Sequence, residues 1–288
     1  MTKIIWHSKT LEKEIKVLHN SKINFIPTMG NLHNGHLSLI KAAKKNNFLN
    51  IVSIFVNPLQ FNEKKDFINY PRTLKKDIEI LKDLNVDIIF VPEKKFASIK
   101  LEFSKIKYLD KLCAIDRPKH FEGVAKIIYK FLRLINPDLI FLGKKDYQQI
   151  LVIENLIEEF GFNTEIKKLP IIREKNGLAL SSRNNLISKD KLNSAKFIFE
   201  ILKNLSEKII NEGLFLSEID DIQKEILNHG ANKLNYLEIL NSKNLSSIDS
   251  RPCKAIIFIS AEFDGVRLID NLEIEGKIKL DEEKIISF

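Results

Sequence analysis

Over the first part of the chain, the hydrophobic positions alternate between two periods. The runs INFIPT (23–28), IVSIFV (51–56), VDIIFVP (86–92) and DLIFLG (138–143) are short, apolar and rich in β-branched residues, and TEIKKLPII (164–172) is a further strand-like run. Unbroken runs of this kind suit strands covered on both faces. Between them, residues 35–48, 72–85, 121–137 and 146–161 place apolar side chains at helical spacing, with Leu74, Ile78 and Leu81 on one face of the second. Strand–helix alternation predicts an α/β fold: a parallel sheet with helices on both faces.

From about Leu178 the pattern changes. A long helical run, 188–213, opens at a Ser cap and stops at Gly213. A second helix is expected over 217–229 and a strand over 235–240. Residues 255–274 read as a hairpin turning at Asp264-Gly265. This part predicts a smaller C-terminal α+β domain. The expected division is 1–171 for the parallel-sheet domain and 172–288 for the smaller one. There is no fixed-period repeat and no low-complexity stretch.

In open parallel sheets, ligands bind outside the carboxyl ends of the strands. The unusual polar residues fall at such ends: residues 28–36 after the first strand, 57–61 after the second and 143–146 after a later one. Composition changes this picture little. Apolar residues make up 44% of the 288 and charged residues 29%, a soluble globular profile. The two cysteines, Cys113 and Cys253, are far apart and form no C-x-x-C pair, so a reducing, cytoplasmic setting fits better than a disulfide framework. The N-terminal residues lack the apolar core and small-residue cleavage site of a signal peptide. No window approaches the roughly 18 apolar residues of a membrane span. The net charge of +8 raises the possibility of nucleic acid. The lysines, however, are scattered in pairs with acids close by, and the solvated-surface reading is the stronger one.

Within PTMGNLHNGHLSLI (27–40), His33 and His36 sit at the expected start of a helix, with Gly30 and Gly35 around the strand-to-helix turn. A helix N-terminus offers unpaired N–H groups and positive dipole charge, a seat for phosphate. Two surface loop histidines would be the plain alternative. A zinc site is disfavoured because no Glu stands between the histidines as in H-E-x-x-H. A phosphate loop of the G-x-x-x-x-G-K-[ST] type is absent. In NPLQF (57–61), Asn57 and Gln60 could grip hydroxyl or carboxylate groups, or simply form a turn. In GKKDYQQ (143–149), Gly143 closes a strand, Lys144 and Lys145 suit an anionic ligand, Asp146 would cap a helix and Gln149 lies one turn into it. LSSRNN (180–185) has a phosphate-binding composition. His120 could order a loop over the site or merely cap a helix. His7, His19 and His229 receive no role.

Taken together and in order, 27-PTMGNLHNGHLSLI-40, 53-SIFVNPLQF-61, 70-YPRTLKKD-77, 117-RPKHFEGV-124, 143-GKKDYQQ-149 and 177-GLALSSRN-184 resemble the signature of the pantothenate synthetase family, in the nucleotidylyl-transferase-like superfamily. NYLEIL (235–240) and RLIDN (267–271) look like the family's later landmarks, so the resemblance spans essentially the whole chain. It implies a Rossmann-like ATP- and pantoate-binding domain followed by a lid-like domain. It also implies ATP-dependent condensation of (R)-pantoate with β-alanine through a pantoyl adenylate, with Mg2+, in a cytoplasmic homodimer that engages neither nucleic acid nor membrane. Carried over by position, ATP would be held by Met29, Gly30, Asn31, Leu32, His33, Asn34, Gly35 and His36, with His36 as the catalytic acid. Gly143, Lys144, Lys145 and Asp146 would also bind ATP, as would Ile172 through its backbone, and Leu180, Ser181, Ser182 and Arg183. Gln60 and Gln149 would hold pantoate, and Gln60 would also face β-alanine. Asn57 and Arg117 would be secondary contacts, and metal ligands are left unassigned. One departure stands out: Lys144 occupies a position where the family more often has Glu. The alternatives are a related nucleotidylyltransferase acting on another small acid and, from a different class, a basic nucleic-acid-binding protein.

Overall fold

The computed structural model describes residues 2–18, 21–101 and 106–287; His19 lies outside the described residues. The chain divides into two compact units. The first is formed by Met1–Asp110, Arg117–Lys144 and Gln148–Ile171, the second by Lys111–Asp116, Lys145–Tyr147 and Ile172–Phe288. Two short segments that precede residue 172 in sequence therefore belong to the second unit.

The first unit runs β1 (Lys3–Ile5), α1 (Ser8–Val17), β2 (Ile23–Thr28), α2 (Asn34–Ala43), β3 (Leu49–Ile54), α3 (Lys64–Asn69), α4 (Leu74–Asp83) and β4 (Ile88–Phe90). After the short α5 (Cys113–Asp116) of the second unit come α6 (His120–Ile135), β5 (Leu139–Gly143), α7 (Tyr147–Phe160) and β6 (Glu165–Leu169). Six strands form one sheet in the order β1-β4-β3-β2-β5-β6, every neighbouring pair parallel. The three-residue β1 carries no readable period, which is why sequence patterning passes over it.

Both faces of the sheet are covered, as the unbroken apolar runs require. In β2, Phe25 and Ile26 point to opposite faces and both are fully buried. Phe25 meets Phe131 of α6 with ring centroids 5.1 Å apart. Ile26 joins Ile40, Val52, Leu81 and Ile89 in the core cluster of the other face. The order of strands reverses beside β2: β3 and β4 extend to one side, β5 and β6 to the other. The carboxyl ends of β2 and β5 therefore flank the topological switch point, where this architecture opens a crevice for ligands.

The second unit adds α8 (Lys189–Ala195), α9 (Phe197–Asn211), β7 (Leu214–Phe215), α10 (Glu218–Asn228), β8 (Lys233–Asn241), β9 (Ala255–Phe263), β10 (Val266–Glu273), β11 (Ile278–Asp281) and β12 (Lys284–Ser287). β8, β9 and β10 make an antiparallel sheet, and β7, β12 and β11 a smaller one. The hairpin turn is Asp264-Gly265, both with positive φ (51° and 72°), as a two-residue turn matching strand twist requires. Ile198, Ile201, Leu202, Leu205 and Ile209 line the buried face of α9 and share a core with Ile257 and Ile259 of β9.

The single helix expected over 188–213 is two. Ser188 caps the first, its Oγ accepting from Lys191 N. The ladder then slips at Lys196, where Phe199 N bonds Lys196 O, a three-residue closure in place of the four-residue one. Among the described residues, no helix is long and apolar enough to cross a membrane.

Candidate active site

The β2–α2 connection is built by its own side chains. Gly30 and Asn31 have positive φ (80° and 50°), which turns the chain sharply at the end of β2. Thr28 Oγ1 donates to Ser53 O at 2.7 Å and accepts from Gly30 N at 3.2 Å. His33 then caps α2: its Nδ1 accepts from Gly35 N at 3.1 Å, while His36 Nδ1 accepts from His33 N at 3.3 Å. This is a reciprocal capping arrangement with imidazole in both roles. A Cβ on Gly35 would lie 2.8 Å from the His33 ring, so any other residue there would push the capping imidazole aside.

The two caps decide the tautomers. A ring nitrogen that accepts from a backbone N–H carries no proton, so in each neutral imidazole the proton sits on Nε2. The half-buried rings lie 4.1 Å apart, centroid to centroid, at the positive end of α2. Nε2–H groups at a helix N-terminus are chemically suited to an anionic ligand.

Gln60 stands at the end of β3, in a single 3-10 turn, Pro58–Gln60. Its side chain is already oriented: Nε2 donates to Met29 Sδ at 2.8 Å and Oε1 accepts from Asn57 Nδ2 at 3.1 Å. An amide has two donor hydrogens and two acceptor lone pairs, so one of each remains for a ligand. The Met29 contact brings the histidine loop and the Gln60 turn together within the first unit. Asn57 is buried, its Nδ2 also donating to Gly123 O at 3.0 Å.

At the end of β5, Gly143 and Lys144 belong to the first unit, Lys145 and Asp146 to the second. Asp146 directly precedes α7. Lys144–Asp146 form a 3-10 turn that runs directly into α7, leaving Asp146 exposed. Lys145 O accepts from Asn271 Nδ2 at 3.0 Å. In α7, Gln148 is buried and tied to Tyr108 O, whereas half-buried Gln149 makes no side-chain hydrogen bond among the described residues. In the second unit, Ile172 O accepts from Leu180 N at 3.0 Å, and Ser181 Oγ accepts from Arg183 N at 3.2 Å. Half-buried Ser182 and Arg183 share that loop. Arg173 grips Asp270 through two nitrogens at 2.5 and 2.9 Å. Burial pushes the Asp270 carboxyl up and the guanidinium pulls it back.

Two contributors carried no role in the sequence. Asp77, in the first turn of α4, is 1% exposed and accepts from Asn31 N and Leu32 N, each at 2.9 Å, and from Thr73 Oγ1 at 3.1 Å. It holds the left-handed turn that presents the histidines. Its only sequence signal was its place in YPRTLKKD. Gly123 is the other: a Cβ there would meet Leu59 O at 2.2 Å, so α6 and the Gln60 turn touch backbone to backbone. The spacing H-x-x-G in RPKHFEGV, which puts His120 and Gly123 on one helix face, was the available clue. Of the histidines without a role, His7 pairs with Glu93 and His229 stacks on Phe197.

The chain is similar to known proteins along nearly its whole length. The family described as pantoate-beta-alanine ligase matches residues 3–273. A pantothenate synthetase of Buchnera aphidicola subsp. Acyrthosiphon pisum (strain 5A) is 42% identical over 285 residues, covering 94% of this chain and 98% of its own. That of Thermosipho melanesiensis is 38% identical over 263 residues, covering 90% and 94%. Among solved structures, a pantoate-beta-alanine ligase from Francisella tularensis superposes with a TM-score of 0.81 at 36% identity, over 96% of this chain and 98% of that one. Pantothenate synthetase from Thermus thermophilus reaches 0.84 at 30% identity, over 94% and 99%. With a family match over residues 3–273 and relatives 38–42% identical along nearly the whole chain, the chain belongs to the pantoate-beta-alanine ligase family.

Proposed function

We propose that this chain condenses pantoate with β-alanine at the expense of ATP, in two steps. The pantoate carboxylate attacks the α-phosphorus of ATP, the bond to the β-phosphate breaks and pyrophosphate leaves. The β-alanine amine then attacks the acyl carbon of the adenylate, loses a proton and displaces AMP. The observation that carries this reading is the pair of imidazoles, His33 and His36, that cap the N-terminus of α2 through their Nδ1 atoms, beside a Gln60 amide oriented through Met29. The Francisella relative was crystallised with β-γ ATP and β-alanine, which supports the same two ligands here.

The residue types suit the reaction. Attack of one anion on another needs charge neutralisation and alignment more than covalent help. His33 and His36 would donate to phosphate oxygens, His36 supplying the proton-bearing contact to the leaving pyrophosphate. The cationic Lys145 and Arg183 suit the α-phosphate and the outer phosphates, and Ser181 and Ser182 add neutral donors. Asn31, Leu32, Asn34 and Gly35 complete the nucleotide loop, with Gly143, Lys144, Asp146, Ile172 and Leu180 as further ATP contacts. Gln60 and Gln149 are uncharged, which suits the hydroxyls and single carboxylate of pantoate and disfavours a phosphorylated substrate. Among the described residues no group of three or more His, Cys, Asp or Glu fits a resident metal site. Mg2+ belongs to this reading as part of the MgATP substrate, held by phosphates and water. A homodimer in a reducing cytoplasm completes it, the first testable by sedimentation.

The test is release of AMP and pyrophosphate from ATP, with pyrophosphate requiring pantoate and amide formation requiring β-alanine as well. ATP turnover indifferent to pantoate would overturn the proposal. His36→Ala is expected to slow adenylate formation about 10²–10³-fold, the usual loss for a donor aimed at developing charge, with pantoate affinity little changed. Rapid-quench measurement of the adenylate separates the two effects. Equal losses in both would contradict the assigned role.

A further inference from the structure

The Gln60 turn is held by two side chains from the segment that leads into α6. Gln60 O accepts from His120 Nδ1 at 2.7 Å and from Arg117 Nη2 at 3.1 Å. Arg117 Nη1 also lies 3.4 Å from His120 Nε2. These contacts fix the chemistry of the histidine. A carbonyl oxygen only accepts, so Nδ1 carries the proton; a guanidinium only donates, so Nε2 is bare. His120 is thus a neutral Nδ1–H tautomer, the reverse of His33 and His36, and it is 8% exposed.

We propose that His120 and Arg117 are positioning residues that set pantoate binding through the backbone carbonyl of Gln60. The inference rests on the assignment of Gln60 to pantoate. Gln60 is the last residue of a one-turn 3-10 helix, so its own turn does little to fix the direction of its side chain. The direction comes from α6. The two donors hold the carbonyl, Gly123 lets the helix backbone come close enough for them to reach it, and Asn57 bridges Gly123 O and Gln60 Oε1. Lys119, with φ of 68°, starts α6 at the point that brings Arg117 and His120 onto the same carbonyl. The amide that meets substrate is therefore aimed from its backbone and from its tip at once.

The experiment is steady-state kinetics in both substrates, with melting temperatures, on the full chain carrying His120→Ala, His120→Asn, His120→Gln, Arg117→Lys and Gln60→Ala. Asn places an N–H near the position of Nδ1; Gln places one near Nε2. His120→Ala is expected to raise the pantoate KM about tenfold, the worth of one lost hydrogen bond, with the ATP KM unmoved. His120→Asn should recover most of the loss and His120→Gln little of it. Arg117→Lys, which loses the fork geometry, should raise the pantoate KM alone, and it decides the matter if His120→Ala does not fold. Equal effects of Asn and Ala, or matching rises in both KM values with a lowered melting temperature, would reduce the pair to a general structural role and overturn the proposal. Gln60→Ala separates the two layers. If it leaves the pantoate KM unchanged, the assignment of Gln60 is wrong; if it raises that KM while His120→Ala does not, the assignment stands and the positioning role falls.

Discussion

At the scale of single residues, the loop that presents the two histidines depends on a carboxylate outside it. Asp77 meets two adjacent backbone N–H groups that point the same way because Gly30 and Asn31 are left-handed. Its charge is matched by these donors, by Thr73 and by the positive end of α4. Asp77→Asn keeps the shape but turns one acceptor into a donor against an N–H. It should cost about 1–3 kcal/mol of stability in urea unfolding and raise the ATP KM more than the pantoate KM. An unchanged ATP KM would show that the turn holds without the carboxylate. The histidines themselves were legible because their spacing, the glycine between them and the helix start are all local. Asp77 was not, since it reaches the loop from 46 residues away.

At the scale of elements, the decisive contact is between α6 and the 3-10 turn after β3. α6 follows from its apolar period, which puts Phe121, Val124, Ile128, Phe131 and Ile135 on the buried side. Its period does not reveal that Gly123 is where the helix meets another backbone. Gly123→Ala, harmless in an exposed helix, places a methyl 2.2 Å from Leu59 O. The turn must move, at a cost of about 1–3 kcal/mol for overpacking. The pantoate KM should rise with it, and a variant with native melting temperature and native KM would refute the contact. The long helix expected over 188–213 shows the opposite failure. Composition is helical throughout, yet hydrogen bonding slips at Lys196, a detail of backbone geometry that side-chain periodicity does not encode.

At the scale of the whole molecule, each unit has its own means of stability. The first relies on a sheet buried on both faces. The second relies on the apolar core between α9 and β9 and on one buried ion pair, Arg173 with Asp270, whose side chains are 16% and 3% exposed. Removing one partner leaves an uncompensated buried charge, so Arg173→Ala should destabilise by roughly 3–5 kcal/mol in chemical denaturation. A loss near zero would mean water enters to solvate Asp270.

The sequence by itself determined the parallel α/β class, the hairpin at Asp264-Gly265 and the polar clusters at strand ends, because period, turn chemistry and helix caps act within a few residues. Its motifs together also identified the family. Only the tertiary structure decided the strand order that puts the ends of β2 and β5 at the switch point, and the pairing of Met29 with Gln60, 31 residues apart. It alone showed His120 and Arg117 on the Gln60 carbonyl, 60 and 57 residues away. These contacts depend on which surfaces meet once the chain has closed on itself, and no local pattern records that.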